Sequence, residues 1–352
     1  MKINYNDASI KHLMIHGIGS KCLDEALVLS SSEVAISDVT ERRLLVNLLR
    51  RMPVETLYHF SHDIELPYNE VFSLIKSSFE TKEKFIDVSK MIAKHLFNQG
   101  VTKKIDSGLL YVAYLKHILI GDQEVDAIGI FKSEKLEMFL KLGYSDGEYS
   151  LASEKGIGNI SKGCLIVNID SESGYLVSLL NTRKKSDVKY WNEDFLGVKL
   201  RNDDYNRTNQ IIELCGSFIT SNEAIAKKDK AGMIDQVLSA MTIGDTTFEK
   251  IADTVFKDKT VKEQFSDFRN QKSSFADENL NEHFSPTSEN IEKQLKKYRN
   301  KSKLILDDDF EVLIKNGDGN IVRGYDEEKG LSYYKLYLSL IHISEPTRPE
   351  PI

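Results

Sequence analysis

Apolar residues along this chain recur with the spacing of helices at first, with that of strands from Ser107, and with that of helices again after Tyr190. Ile10 to Gly17 mixes apolar positions with His and Lys as an edge strand does, and Ala26-Leu27-Val28-Leu29 reads as its partner. A helix is predicted from Asp38, with Asp38 as N-cap, Glu41 completing a capping box, and Leu44, Leu45, Leu48 and Leu49 as the apolar face before Pro53. Two further helices are predicted over Tyr68–Phe79 and Lys82–Asn98, the second ended by Gly100.

Gly108–Ile120 is a long strand, turning at Gly121-Asp122-Gln123-Glu124 into Val125–Phe131. Leu136–Leu142, Tyr149–Ser153, Gly163–Asp170 and Tyr175–Leu180 are expected to continue an antiparallel meander. Helices then alternate with polar connections over Tyr205–Thr220, Ala224–Leu238, Thr246–Phe256, Val261–Asn270 and the basic stretch Glu289–Lys301. Strands at Phe310–Lys315, Ile321–Tyr325 and Leu331–Tyr337 close the pattern, the first two joined by an expected hairpin turn at Asn316–Asn320. The fold class is therefore α+β: an N-terminal antiparallel sheet packed with helices, followed by a mainly helical domain ending in a small β-hairpin. The expected boundaries are 1–182 for the sheet domain, 183–204 for a basic connection and 205–337 for the helical domain.

The length, 352 residues, exceeds what one core usually supports, in agreement with two domains. No segment approaches ~20 consecutive apolar residues, so no membrane span is expected. The N-terminus, Met1-Lys2-Ile3-Asn4-Tyr5-Asn6-Asp7, lacks the apolar core of a signal peptide. Cys22, Cys164 and Cys215 are far apart and form no CxxC pair, which indicates neither a zinc site nor a disulfide framework. These features together predict a cytoplasmic protein without a cofactor or metal. The stretch from Leu338, LSLIHISEPTRPEPI, resembles the conceptual translation of a transposase-type sequencing adapter and is read as an artefact, His342 included. A genuine Pro-rich tail is the alternative.

Catalytic templates fail one by one. Asp307-Asp308-Asp309 and the Asn316–Asn320 turn miss the register of a calcium loop, and a hairpin turn accounts for Gly317 and Gly319. Gly156-Ile157-Gly158 lacks the third glycine, the Lys-Ser/Thr ending and the following helix of a phosphate loop, so it reads as a turn. His12, His16, His59, His62, His95, His117 and His283 are scattered; His59 and His62, with Asp63, are spaced like ligands but have no third partner in a zinc motif. No GxSxG or Cys/His nucleophile pattern occurs, and the chain is expected to be non-enzymatic.

Basic clusters survive better. Arg183, Lys184, Lys185 and Lys189 follow a strand, beside Tyr190 and Trp191. Lys293, Lys296, Lys297, Arg299, Lys301 and Lys303 form a dense run in and after a helix. Either cluster suits phosphate contact, while a solvated helix face balancing Asp307–Asp309 is the plainer reading. With 47 Lys+Arg against 54 Asp+Glu the net charge is −7, so any DNA contact must be local. No helix-turn-helix, zinc finger or RNP-type motif indicates sequence-specific readout.

Leu179-Leu180-Asn181-Thr182-Arg183-Lys184-Lys185 followed by Tyr190-Trp191 and Phe195-Leu196-Gly197 resembles the hallmark of the bacterial nucleoid-associated protein family of the NdpA type. That pattern is a leucine-rich strand, a basic loop, an aromatic pair (commonly Tyr-Phe) and Phe-Leu-Gly. The strand Gly108–Tyr114, the opening Ile10–His16 and the terminal strands around Phe310–Tyr325 fit as well. The resemblance implies a nucleoid location and binding to double-stranded DNA, with no family-wide catalytic residues. Phe195 and Leu196 are expected to anchor the start of the helical domain on the sheet, and Gly197 to exit at positive φ. Two functions stay open: an architectural DNA-binding protein of little sequence specificity, and an adaptor brought to the nucleoid by a DNA-processing protein. A nuclease using Asp307–Asp309 ranks well behind both. A homodimer would give two weak basic patches avidity.

Overall fold

The near-continuous apolar run Gly108–Ile120 is a single long strand covered on both faces, in a computed structural model that describes residues 2–100, 106–180, 188–225, 227–271, 283–299, 303–307, 310–313, 321–326 and 330–337. The chain divides into two units, Met1–Arg201 and Asn202–Ile352.

The first unit carries strands β1 (Ile3–Asn4), β2 (Ser9–Ile18), β3 (Leu57–Phe60), β4 (Gly108–Ile120), β5 (Gln123–Ser133), β6 (Leu136–Ser145), β7 (Glu148–Ile157), β8 (Lys162–Val167), β9 (Leu176–Leu179) and β10 (Val198–Leu200). Its helices are α1 (Asp38–Leu49), α2 (Glu70–Glu80), α3 (Phe85–Gln99) and a π-helix, Lys189–Leu196. Eight strands form one sheet in the order β1-β4-β5-β8-β9-β3-β10, with β2 beside β1 on the same edge of β4. Every pairing is antiparallel.

Successive side chains in a strand point to opposite faces. Val112, Tyr114, Ile130 and Ile166 therefore face α2, α3 and the π-helix, while Tyr111, Ala113, Phe131 and Leu165 face α1. Two covered faces explain why β4 reads as a continuous apolar run instead of alternating. Each fully buried aliphatic or aromatic side chain contributes about 1.5–3 kcal/mol, so both layers are needed.

Four expectations change here. The N-cap of α1 is Ser37, not Asp38: its hydroxyl accepts from the Thr40 N–H. Glu41 makes no capping box because its carboxylate accepts from Ile10 N–H on β2. Ala26–Leu29 meets the edge strand at one bridge only, Gly17↔Val28. The meander is interrupted, since β5 pairs directly with β8 and leaves β6 and β7 to pair with each other as a separate two-stranded ribbon. Gly156 consequently lies inside β7 rather than in a turn.

The second unit contains α4 (Asp204–Ser221), α5 (Lys227–Ala240), α6 (Phe248–Val255), α7 (Lys259–Gln271) and α8 (Ser288–Arg299). Asp203 and Thr247 cap α4 and α6. The core gathers Phe218, Phe248, Phe256 and Phe265, with ring centroids of Phe256 and Phe265 4.4 Å apart. The terminal strands pair differently from the expectation. β11 (Lys303–Asp307) pairs with β12 (Phe310–Leu313), and β13 (Ile321–Asp326) with β14 (Leu331–Leu336). The expected terminal β-hairpin is thus present, but among the described residues Phe310–Leu313 pairs with the strand before it and not with Ile321–Asp326. The turn expected at Asn316–Asn320, with Gly317 and Gly319, lies outside the described residues.

Candidate nucleic-acid interface

The aromatic pair and Phe-Leu-Gly stretch form the π-helix and its exit. Trp191 and Leu196 are fully buried, Tyr190 and Phe195 nearly so, all in the core between the sheet and α2–α3. Phe195 and Leu196, the expected anchors for the start of the helical domain, pack with Tyr190 and Trp191 in the first unit's core. Gly197 takes φ 63°, ψ 49° and ends the π-helix, its N–H donating to the Glu193 carbonyl at 3.1 Å. A Cβ there would sit 2.5 Å from Asn69 Nδ2, so glycine is required twice, by backbone and by space. His95 on α3 joins the group: Nδ1 lies 2.7 Å from Glu70 Oε2 and Nε2 3.1 Å from the Phe195 carbonyl.

One end of the sheet brings several cations together. Lys132 on β5 and Lys162 on β8 are direct cross-strand partners, and both are buried. Glu134 lies between them: its Oε1 accepts from Lys162 Nζ and is 3.5 Å from Lys132 Nζ, which also donates to the Asp106 carbonyl at 2.5 Å. Burial pulls the Lys132 ammonium below the usual lysine range against the Glu134 charge. For Glu134 burial works upward, but the Lys162 hydrogen bond and the two ammonium charges outweigh it and hold the carboxyl low. The Tyr190 phenol is pushed up, first by burial and then by the Glu134 charge, which sets the start of the π-helix beside this triad.

Leu180 leaves β9 at the same end, its N–H donating to the Gly163 carbonyl at 2.9 Å, and the chain returns at Val188. Lys189 is exposed there. Arg183, Lys184 and Lys185, between those two fixed points in sequence, lie outside the described residues, as does Lys301. Lys293 is exposed on α8. Lys296, Lys297 and Arg299 follow it on the same helix and Lys303 opens β11, but their side chains are outside the described residues.

The other sequence candidates are accounted for by ordinary contacts. His59 lies on β3, its imidazole kept below its ordinary range by burial and by the charges of Arg201 and Lys199. His62 Nδ1 accepts from the Ile64 N–H, and its ring stacks on Tyr68. Among the described residues no three His, Cys, Asp or Glu side chains are grouped to hold a metal. Asp308 and Asp309 lie outside the described residues.

Sequence reasoning missed Asn69, Lys132, Glu134 and Lys162. The lysines were hidden because Lys in a strand normally signals solvent; the only signal was their position at the ends of two apolar runs.

The family model for nucleoid-associated protein YejK matches residues 22–324. No curated protein matches the chain.

Proposed function

This chain belongs to the nucleoid-associated protein YejK family, and from that premise we propose that it binds duplex DNA through backbone phosphates, as a non-enzymatic architectural component of a cytoplasmic nucleoid. The observation that carries this reading is the sheet end described above. The segment holding Arg183, Lys184 and Lys185 joins Leu180, hydrogen-bonded at the strand end next to buried Lys162, to the exposed Lys189. At a net charge of −7 only such local concentrations of cation favour a polyanion. Lys293, Lys296, Lys297, Arg299, Lys301 and Lys303 supply a second cluster in the other unit. Buried Tyr190 and Trp191 have no face free for base stacking, which favours backbone contact over base readout.

The test is a salt series of mobility shifts on random-sequence duplex DNA. Binding should weaken with salt, the log–log slope steepening by about 0.9 for each neutralised phosphate. Reversing Arg183, Lys184, Lys185 and Lys189 to Glu should flatten that slope while Trp191 fluorescence stays native. Unchanged binding in the folded quadruple variant would overturn the assignment. A second reading, an adaptor brought in by a DNA-processing protein, draws on the acidic net charge; it requires that the purified parent chain give no shift even at low salt.

A further inference from the structure

The ribbon β6–β7 has two unlike faces. Directly paired residues of an antiparallel ladder point the same way, so the register places Leu136, Met138, Leu140, Leu142 and Tyr144 of β6 on one face. Their partners Ile157, Leu151 and Tyr149 of β7 join them there, with Lys155 and Ser153 between. The other face carries Glu137, Lys141, Gly143, Ser150 and Glu154, with Phe139 as its one large apolar side chain and Lys141 and Glu154 ion-paired at 2.8 Å. Seven large apolar side chains of this face are exposed, Leu140 by 75% and Tyr149 by 74%, and Ile157 at the base is half-buried. Such a face is unusual, because a two-stranded ribbon is at best marginally stable in water and monomers seldom expose contiguous apolar patches above a few hundred Å².

We propose that this face is the interface of a homodimer, two ribbons stacking apolar face to apolar face about a two-fold axis with the tip of each over the base of the other. Two observations select a second copy. The first is area: seven side chains exposed to this degree present on the order of 800 Å², what each partner contributes to a standard stable interface. The second is charge. Lys155 stands near the base of the ribbon on this same face and Asp146 at its tip, and neither is ion-paired among the described residues. A two-fold axis that reverses the ribbons sets the acidic tip of one copy over the basic base of the other, twice per dimer. Tip-on-tip stacking would instead oppose like charges. The acidic tip also disfavours insertion into a DNA groove.

The test is the mass of the full chain by sedimentation equilibrium over a concentration series, at low salt. The parent should self-associate to a dimer. Leu140→Glu with Leu142→Lys should weaken dimerisation at least 100-fold while native Trp191 fluorescence is kept. Because a ribbon variant can also lose its own fold, a charge pair provides the second arm. Lys155→Glu and Asp146→Lys should each weaken the dimer several-fold, and an equimolar mixture of the two should recover association as heterodimer, one tip–base contact carrying the parent pair and the other the swapped pair. A parent that is monomeric throughout, or a dimer indifferent to all four changes, would overturn the proposal. Reversal of the basic residues at 183–189 should leave the mass unchanged, so failure of DNA binding and failure of this interface are separate results.

Discussion

The side-chain amide of Asn69 closes the exit of the π-helix at Gly197. Its Nδ2 shares two hydrogens among the carbonyls of Leu196 at 2.9 Å, Gly197 at 3.1 Å and Ser61 at 3.1 Å, while Oδ1 accepts from the Phe72 N–H at 2.9 Å and caps α2. One residue thus starts a helix and pins the end of another element. Asn69→Asp keeps the cap but turns an acceptor toward three carbonyl oxygens. It should destabilise the first unit by about 2–3 kcal/mol, more than the roughly 1 kcal/mol of a lost cap alone. Gly197→Ala, strained in backbone and in space, should cost at least about 1–2 kcal/mol. Urea unfolding followed by Trp191 fluorescence measures both, since the chain's single tryptophan is fully buried in this unit. An Asn69→Asp variant as stable as the parent would show the three carbonyls to be satisfied otherwise.

Glu134 is the shared anion of two buried lysines, and the consequences of removing each partner differ. Glu134→Gln removes the carboxylate that both buried lysines share and should cost about 3 kcal/mol or more. Lys132→Met leaves the closer Lys162–Glu134 pair in place and should fall within about 1 kcal/mol of the parent. The carboxyl of Glu134 is held below its ordinary value, so its contribution is complete above the usual carboxylate range and is lost as pH falls through the depressed value. Acid unfolding of Glu134→Gln should accordingly lack part of the parent's low-pH slope. Equal losses in the two variants would contradict the assignment of Glu134 as the shared partner.

His16 gives a second pH dependence, nearer neutrality. Its ring is buried on β2, Nδ1 accepting from the Ser30 N–H at 3.2 Å and Nε2 lying 3.1 Å from Ser89 Oγ. The acceptor role of Nδ1 requires the neutral ring, and burial, then the charge of Lys90, lowers its pKa. A lowered value means that the unfolded chain binds the proton first. Stability contributed by His16 is present above about pH 6.5 and is lost as pH falls from there toward the folded value. The slope should reach up to about 1.4 kcal/mol per pH unit. His16→Gln should flatten that interval between pH 7 and 5 when unfolding is followed by Trp191 fluorescence. An unchanged slope would place the titrating group elsewhere.

The sequence discloses this fold where burial leaves a long signature. Gly108–Ile120 is legible because Leu110 to Leu115 are buried in unbroken succession, with no polar side for an alternation to show. β3 and β10 are too short for any period to register, at four and three residues, and they are held by neighbours distant in the chain, as in Val198↔Phe60. The ribbon shows the limit of periodicity: Leu136–Leu142 alternates as a sheet strand should, yet nothing local says that β5 will pair with β8 and exclude it. The cap of α1 moves by one residue because Ser37 and Asp38 are both good caps, and the choice depends on Glu41 reaching Ile10 on another strand. Of the basic candidates, exposure at Lys189 was legible, whereas the buried triad beside it depends on a strand pairing that no local pattern encodes.

Trp191 provides the sharpest test of whether the motif core is structural. Its ring is fully buried, 4.9 Å from Phe195, and its Nε1 has no hydrogen-bond partner among the described residues. A buried unpaired donor costs about 1–3 kcal/mol relative to an apolar group of the same shape. Trp191→Phe therefore removes that penalty while opening a small cavity, and the two effects should nearly cancel, leaving a net change within about 1 kcal/mol. Phenylalanine is also the residue commonly found at this place in the family pattern that the chain resembles. Trp191→Ala removes the ring altogether and should cost about 3–5 kcal/mol. Urea unfolding by far-ultraviolet circular dichroism, independent of the lost fluorophore, gives both values. If Trp191→Phe proved as damaging as Trp191→Ala, the indole N–H would have to be engaged in the functioning protein, and the motif would then be a binding element as well as a packing one.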